Sequence, residues 1–519
     1  MRIIDLFDRA AARYPGQVFL VQGGISRQYR ESQDASYRIA AALLRDGFGK
    51  GARVGLYGPN DWRGVEALFG TFRAGAIAVP VNARNAIVEN IDFLNDAGVE
   101  LLFIHSNFAE YLPQIALSCR RIRRLILLDG DAGKYTTISE YQAEAGLAFT
   151  PFDYRADDVW SIYGTSGTTG RAKCVAHTHL TAMSAMADML HSMAVHAPVR
   201  HLVVAPISHF AGIFFYALTA MGSTHFFLEG TAPKDILDAI ENLRAEILFL
   251  PPTLVYMMLD QLEVETRDFS GLKAMICAGS PMSPDRMRRA IEVFGPVMMN
   301  FLGQTEAVGP ITALTPLDYI DVPEEKLKRR LGSIGRPSLM RQVEIMDNDG
   351  RLLPAGGIGE IVLRGWGVTP GYVMPDGSLF RDEVLFSHGW MHTGDIGRKD
   401  EDGFFTILDR KKDMIISGGF NIYPVEVERV LLTHPAIADV AVIGVPDDKW
   451  GEAVKAVVEL KPGASADAAA IIGFCKASIG SVKAPKSIEF WPQLPRNATG
   501  KILKRVVRDK FWQGRERRV

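Results

Sequence analysis

The sequence predicts an α/β fold: a large, multi-part N-terminal region of parallel-type sheets flanked by helices, followed by a small β-subdomain. Three observations carry this. Helical patterns alternate with short apolar strands through the first half of the chain. After about Ser333 the texture turns to short strands joined by Gly-rich turns, and near Lys412 the charge balance changes sign. Alternation of this kind argues for a mostly parallel sheet with helices on both faces.

Taken in order, the opening stretch Met1–Pro15 places Asp5, Asp8, Arg9 and Arg13 within a helical period and lacks the basic-then-apolar build of a signal peptide. Helices are expected over Glu31–Arg45, Asp61–Ala74 and Ile87–Ala97, and strands over Val54–Tyr57, Ala76–Val81, Leu101–His105 and Leu125–Leu128. A second round of strands follows at Leu202–Ala205, Ile247–Leu250 and Ala274–Ala278.

From Leu202 to Leu228 there is no Asp, Glu, Lys or Arg, a run long enough to span a bilayer. Pro206, Ser208, His209, Gly212, Gly222, Ser223, Thr224 and His225 interrupt it repeatedly. A buried helix between two buried strands fits better than an integral membrane span.

Composition narrows the class further. The 519 residues are 47% hydrophobic and 23% charged, an ordinary globular balance that excludes disordered and collagen-like architectures. A net charge of −2 gives no reason to expect nucleic acid or an acidic membrane as partner. Cys119, Cys174, Cys277 and Cys475 lie far apart, too sparse for a disulfide scaffold or a metal framework, so a reducing cytoplasm is the expected compartment.

Beyond Ser333, Gln342–Met346, Gly359–Leu363 and Gly403–Leu408 read as short strands of an antiparallel unit. The charged run Asp409–Asp413 then separates two apolar segments, as a solvated turn or a hinge would. From Lys412 to Val519 there are 17 basic and 12 acidic residues, net +5, and from Lys476 onward 12 basic and 3 acidic. Such a surface suits a polyanionic small molecule such as a nucleotide.

The most informative segment is Tyr163-Gly-Thr-Ser-Gly-Thr-Thr-Gly-Arg-Ala-Lys173, expected between the strand Val159–Tyr163 and a helical stretch. Its glycines permit close approach of phosphate oxygens, its hydroxyls and amides can satisfy them, and Lys173 adds a cation. Gly170 is followed by Arg171, so the Walker A pattern fails. A phosphate loop of another kind is expected.

This segment resembles the phosphate loop of the adenylate-forming superfamily, which includes acyl-CoA and aryl-CoA synthetases, peptide-synthetase adenylation domains and luciferases. Further motifs of that family follow in order. They are Ala278-Gly-Ser-Pro-Met282, Leu302-Gly-Gln-Thr-Glu306, Gly359-Glu-Ile-Val-Leu-Arg-Gly365 with Gly371-Tyr372, and His392-Thr-Gly-Asp395. Asp409-Arg410, Ser417-Gly-Gly-Phe-Asn-Ile-Tyr-Pro424 with Glu426 and Glu428, and Leu494-Pro-Arg-Asn-Ala-Thr-Gly-Lys501 complete the series.

The resemblance implies an N-terminal adenylation domain over residues 1–409 and a small, mobile α+β C-terminal domain over 410–519, hinged near Lys412. It also implies ATP, Mg²⁺ and coenzyme A. Thr165, Ser166, Gly167, Thr168, Thr169, Gly170 and Lys173 would hold the β- and γ-phosphates, and Thr305 the α-phosphate. Gly279, Ser280, Pro281, Phe301, Leu302 and Gly303 would surround the nucleotide. Glu306 would bind the metal. Asp395 would accept both ribose hydroxyls, with Arg410 beside the same ribose, and Lys501 would bridge substrate carboxylate and α-phosphate. For the thiol step, Ser417, Gly418, Gly419 and Trp450 would contact coenzyme A.

His209, in Pro206-Ile-Ser-His-Phe-Ala-Gly212, matches a segment of aryl- and fatty-acyl-CoA ligases in which the ring lies near the acyl site. The implied pocket walls are His209, Phe210, Ala278, Phe301, Gly303, Val308 and Gly309, apolar and partly small. They suit an aromatic, alicyclic or medium-chain acid, and no cation among them invites a dicarboxylate. No carboxylate between Leu202 and Leu228 is available to pair an amino acid's ammonium.

Three positions depart from the family pattern. Leu302 replaces an aromatic residue against the adenine, with Phe301 as a possible compensation; Ala172 replaces proline, and Ser280 stands where alanine is usual. The expected function is an AMP-forming acid:CoA ligase, with a homodimer as the assembly entertained. The alternatives are loading of a separate carrier protein, a non-catalytic acyl-nucleotide-binding protein, and luciferase-type oxidation.

Overall fold

The computed structural model describes residues 1–130, 133, 135–142, 152–165, 172–280, 282–496 and 502–513. The chain divides into two compact units, one of Met1–Val343 with Leu363–Met391 and the other of Glu344–Val362 with His392–Val519. The second unit thus takes in strands on the N-terminal side of Arg410.

Two large sheets organise the first unit. Among the described residues one has nine strands, in the order Arg336–Pro337, Ala307–Leu314, Met298–Gln304, Ala274–Ala278, Ile247–Leu250, Arg200–Val203, Thr224–Phe227, Val18–Gln22 and Ile25–Gln28. Its middle is parallel, and antiparallel pairs close both edges. The strands Ile247–Leu250 and Ala274–Ala278 are almost wholly buried, which is why they read as unbroken apolar runs.

The second large sheet also has nine described strands. It runs Leu379–Phe380, Tyr372–Val373, Cys174–Thr178, Val159–Gly164, Ile77–Val81, Arg53–Tyr57, Leu101–Ile104, Arg124–Leu127 and Thr136–Thr137. Helices Tyr29–Arg45, Trp62–Ala74 and Ile87–Asp96 fall within a few residues of their expected positions. Trp62–Ala74, His179–Met193 and Ala211–Ala220 pack in one core cluster with residues of both sheets, among them Phe69, Trp160, Met189, Phe215 and Ile276. The uncharged stretch resolves into a strand, the buried helix Ala211–Ala220 and a second strand, Thr224–Phe227. No helix of the described residues is long and apolar enough to cross a membrane.

One expectation is corrected. The segment after Lys173 is the strand Cys174–Thr178, and the helix begins only at His179. Cys174–Thr178 pairs antiparallel with Val159–Gly164, so the Gly/Thr-rich segment connects the two arms of a hairpin. All five residues of the strand are buried, and an alternation of apolar and polar residues is therefore absent from it.

The second unit holds a four-stranded sheet, Arg341–Met346, Ile358–Gly365, Met391–Lys399 and Phe405–Arg410, some of whose strands begin or end in the first. Its other sheet runs Phe420–Ile422, Ile415–Ser417, Gly451–Leu460 and Ile437–Asp447, with Ser487–Phe490 parallel to Gly451–Leu460. Helices Pro424–Leu431 and Ala468–Lys483 supply Val427, Leu431, Ile471 and Cys475 to the core of this α+β part. None of the four cysteines, all buried, forms a disulfide.

Candidate active site

Parallel strands present their C-terminal ends to ligands, because the loops there gather on one edge of the sheet. In the first unit, three expected segments leave that edge. Gly279 and Ser280 follow the strand Ala274–Ala278, His209 and Phe210 follow Arg200–Val203, and Thr305 follows Met298–Gln304. Gln304 pairs with Ala307, which makes Thr305-Glu306 a two-residue hairpin turn. The ring of His177, on the neighbouring sheet, hydrogen-bonds the backbone of Thr305.

At the phosphate loop, the two ends are tied together. Thr165 N donates to the Lys173 carbonyl at 3.0 Å, and Lys173 N donates to Thr165 Oγ1 at 3.0 Å. Ser166, Gly167, Thr168, Thr169 and Gly170 lie outside the described residues, as do Pro281 and Lys501. Lys173 Nζ stands 4.6 Å over the ring of Tyr372 and 3.6 Å from Asp382 Oδ2. The Tyr372 hydroxyl donates to Glu306 Oε1 at 3.1 Å. Burial and the adjacent Glu306 push the Tyr372 phenol well above its ordinary value, so it stays a donor. Tyr372 therefore places the loop cation and the Glu306 carboxylate on one side chain.

Glu306 suits Mg²⁺ in one respect that can be tested. Mg²⁺ keeps several waters and takes one or two carboxylates plus substrate phosphates instead of an all-protein cage. A single carboxylate near the Lys173 end of the expected phosphate loop meets that need, and the described residues hold no cluster of three or more His, Cys, Asp or Glu that would compete.

The expected acyl walls are also brought together. Phe210 lies so close to Gly303 that a Cβ there would stand 2.6 Å from Phe210 Cε2. Phe210 packs edge-on to Phe214 and Phe249, and Phe214 stacks on Phe301 at 6.1 Å. Phe301 pairs with Ala278 across the sheet. Successive residues of a strand face opposite sides, so Phe301 points away from the face that Leu302 covers. This separates its two expected roles and favours the acyl side. His209 Nδ1 is 2.9 Å from Ser208 Oγ, and burial, aided by the Arg84 charge, pulls its pKa down to about 4. The ring is a neutral imidazole at physiological pH.

In the second unit, Asp395 is 2% exposed and its Oδ1 accepts from Arg410 Nε at 2.7 Å. The two residues are direct partners across the strand pair. Beneath them Glu360 accepts from His392 Nδ1 at 3.0 Å, from Gly394 N at 2.9 Å and from Lys411 Nζ at 2.9 Å. Burial alone would raise this carboxyl, but those hydrogen bonds hold it below its ordinary value. Glu360 thereby fixes residues 392–394 of the strand Met391–Lys399, which lead into Asp395. Its only sequence signal was its place inside Gly359–Gly365.

Lys412, in the 3-10 turn Lys411–Asp413, is exposed, and its carbonyl lies 3.4 Å from Arg508 Nη1. Ser417 is buried, while Gly418 and Gly419 form the turn between Ile415–Ser417 and Phe420–Ile422 with φ of +58° and +83°. Two left-handed positions in a two-residue hairpin demand glycine or a close substitute. Glu426 pairs with Lys483 at 2.6 Å and Glu428 with Lys504 at 2.8 Å, so both carboxylates of that motif have cationic partners within this unit.

A surface groove of about 510 Å³, lined in part by Val18, Arg200, Phe226 and Glu246, shares no residue with these expected sites.

Comparison with known proteins agrees with this layout. The AMP-binding enzyme family matches residues 7–373, and the AMP-binding enzyme C-terminal domain matches residues 426–501. The chain is 35% identical over 492 residues to the medium/long-chain-fatty-acid–CoA ligase FadD8 of Mycobacterium tuberculosis, covering 91% of this chain and 84% of that one. A feruloyl-CoA synthase from an Amycolatopsis species is 33% identical over 506 residues, covering 97% and 98%. The crystal structure of ATP-bound MatB from Rhodopseudomonas palustris superposes with a TM-score of 0.87 at 28% identity, covering 98% and 99%. The chain belongs to the AMP-binding enzyme family, on the acyl- and aryl-CoA ligase branch of the adenylate-forming superfamily, and is an enzyme of the class that joins acids to thiols through carbon–sulfur bonds.

Proposed function

We propose that the chain is an AMP-forming acid:CoA ligase that activates an aromatic, alicyclic or medium-chain carboxylic acid. The observation that carries this reading is the juxtaposition of Lys173 and Glu306 on Tyr372. A carboxylate is a poor acyl donor because oxide leaves badly. Its attack on the α-phosphate of ATP forms a C–O–P link, releases pyrophosphate and gives an acyl-adenylate whose AMP leaves readily.

Negative charge builds on phosphate oxygens in that attack, and fixed cations stabilise it. Lys173 and the Thr165 end of the loop hold the β- and γ-phosphates, Thr305 contacts the α-phosphate, and Glu306 holds Mg²⁺. When bound, the metal supplies further positive charge at the phosphates. Asp395 takes the ribose hydroxyls with two acceptor oxygens, and Lys501 bridges carboxylate and α-phosphate.

In the second step the coenzyme A thiol attacks the acyl carbon, a C–S bond forms, and AMP departs. Gly418 and Gly419 leave room for the pantetheine arm, Trp450 flanks it, and neutral His209 stands at the acyl entrance. Residues 1–409 act as the adenylation domain and 410–519 as the cap, pivoting at Lys412. A cytoplasmic setting suits four cysteines without a disulfide.

The test is AMP release from ATP with a panel of benzoates, cinnamates, cyclohexane carboxylates, linear C4–C14 acids and malonate, each with and without coenzyme A. Release that needs both an acid and coenzyme A is the expected result. Pyrophosphate exchange with an acid that coenzyme A does not accelerate would replace the thiol acceptor by a carrier protein or another nucleophile.

A further inference from the structure

A short connection, residues 366–371, lies between the strands Ile358–Gly365 and Tyr372–Val373. It belongs to the first unit and reaches both large sheets. On one side Val368 forms an antiparallel bridge with Ala307, the residue after Glu306, in the first sheet. On the other, Tyr372 pairs with Val175, two residues after Lys173, in the second sheet. Thr369 stands between these two attachments and is buried.

Both the backbone and the side chain of Thr369 are engaged there. Thr369 N donates to the Glu306 carbonyl at 2.8 Å. Thr369 Oγ1 donates to the Ala176 carbonyl at 2.6 Å, lies 2.9 Å from the Gly371 carbonyl and accepts from Gly371 N at 3.1 Å. Ala176 N in turn donates to the Gly371 carbonyl at 3.0 Å. One residue therefore ties together the turn that carries Glu306, the strand that follows Lys173 and the residue before Tyr372.

The hydroxyl is what makes this joint. A buried threonine can satisfy its hydroxyl locally, as Thr219 does on the Phe215 carbonyl four residues back. Thr369 instead reaches a strand 193 positions away. Valine would fill the same space without the hydroxyl, and the Ala176 carbonyl and Gly371 N would each lose this partner. Buried polar groups left unpaired are costly, so the connection would shift to recover them. Tyr372 and the Glu306 turn are attached to it and would move with it.

We propose that Thr369 is a positioning residue for acid activation. It fixes Glu306 and Tyr372 relative to Lys173, and so sets the spacing between the metal carboxylate and the cation at the end of the phosphate loop. Mg²⁺ tolerates little departure from octahedral geometry, which makes that spacing matter. Thr369 acts through Glu306 and Tyr372 and needs no contact with substrate. This inference rests on the reading of Glu306 and Lys173 as the groups that hold Mg²⁺ and the nucleotide phosphates.

The experiment compares Thr369→Val and Thr369→Ser with the unaltered enzyme in three measurements. They are ATP affinity by isothermal titration calorimetry in the presence of Mg²⁺, ATP–pyrophosphate exchange with the fastest acid, and conversion of supplied acyl-adenylate to thioester. Thr369→Val should weaken ATP binding and raise the Mg²⁺ concentration for half-maximal exchange, each by about ten-fold, the scale for losing a residue that supports a metal ligand. The KM for the acid and the thioester step should not change. Thr369→Ser keeps the hydroxyl and should match the unaltered enzyme. If the valine variant fails to fold, Thr369→Cys, whose thiol is only a weak donor, should show the same pattern at smaller size. Unchanged ATP affinity without the hydroxyl, equal losses in both half-reactions, or a serine variant as impaired as the valine one overturns the inference while leaving acid activation standing. Absence of ATP binding and of exchange with every acid in the unaltered enzyme would overturn the acid-activating reading itself, and this inference with it.

Discussion

The indole of Trp450 lies against Gly418. A Cβ on Gly418 would stand 2.5 Å from Trp450 Cε3, and Gly418 N donates to the Trp450 carbonyl at 2.9 Å. Trp450 is nonetheless 45% exposed, which sets it apart from a core residue. A bare backbone beside an exposed aromatic face is a surface along which a flexible thiol arm can lie. Gly418→Ala should therefore act on the thiol step: the left-handed φ and the indole both oppose the methyl group, at roughly 1–3 kcal/mol. Thioester formation from supplied acyl-adenylate should fall by about ten-fold or more, with pyrophosphate exchange nearly unchanged. Equal loss in both half-reactions would remove the hairpin from the thiol step.

Arg410 and Asp395 form the corresponding pair that the proposed function assigns to the ribose. With Asp395 buried and Arg410 about half exposed, losing the cation removes one charge-assisted contact that orients the carboxylate. Arg410→Ala should raise the KM for ATP by about ten-fold, the scale of one charge-assisted hydrogen bond, with a smaller change in kcat. A KM for ATP that does not move would dissociate this pair from the nucleotide.

Lys501 lies outside the described residues, so its role is tested by chemistry alone. Lys501→Ala should lower pyrophosphate exchange by about 10²–10³, the cost of deleting one preorganised charge-stabilising group. Conversion of supplied acyl-adenylate to thioester should persist. Loss of both steps together would contradict a cap that uses different faces for the two half-reactions.

Much of this site was legible because its motifs are contiguous. Thr305-Glu306 and Gly418-Gly419 each form a two-residue hairpin turn, Thr165 and Lys173 flank the ends of the strands Val159–Gly164 and Cys174–Thr178, and Asp395 lies within the strand Met391–Lys399. The hairpin arm Cys174–Thr178 was missed because a strand buried on both faces shows no alternation to read. Glu360 and Tyr372 were named only as motif residues without a role, and the buried Asp188–Arg341 ion pair was missed, for a different reason. Their partners lie 34, 66 and 153 positions away in sequence, and only the folded sheet order brings them together.

Tyr372 links the Glu306 turn to the Lys173 strand end and offers a sharp test. Tyr372→Phe removes the hydroxyl that donates to Glu306 but keeps the ring under Lys173. The freed carboxylate oxygen should lose orientation, so the Mg²⁺ concentration for half-maximal exchange should rise about ten-fold, on the scale found for residues that support a metal ligand. The KM for the acid should stay unchanged. A shift confined to the acid KM would place Tyr372 in the acyl pocket instead.

Acid should destabilise the fold through its histidines. Burial pulls His177 and His201 down to about 3 and His179 and His209 to about 4, and it holds His225 well below its ordinary value. The Nδ1 atoms of His201 and His225 are 2.9 Å apart, so one donates to the other and a proton on the acceptor breaks the contact. In the unfolded chain these rings take up protons near pH 6.5, whereas in the folded chain they do so only near 3–4. Between those values the unfolded state binds more protons, and stability falls by about 1.4 kcal/mol for each unit that the pH drops, for each such ring. Their contribution is complete above pH 6.5 and is lost on descent toward pH 4. Glu66, Asp188, Asp409 and Glu428, whose carboxyls burial raises, oppose this, starting from ordinary values near 4 at the acid end of the window. Urea midpoints measured from pH 7.5 to 4.5 should therefore be flat above 6.5 and fall steeply below it. His179→Asn should make the descent shallower. A midpoint that does not change down to pH 4.5 would mean that these rings reach solvent or a proton acceptor in the folded protein.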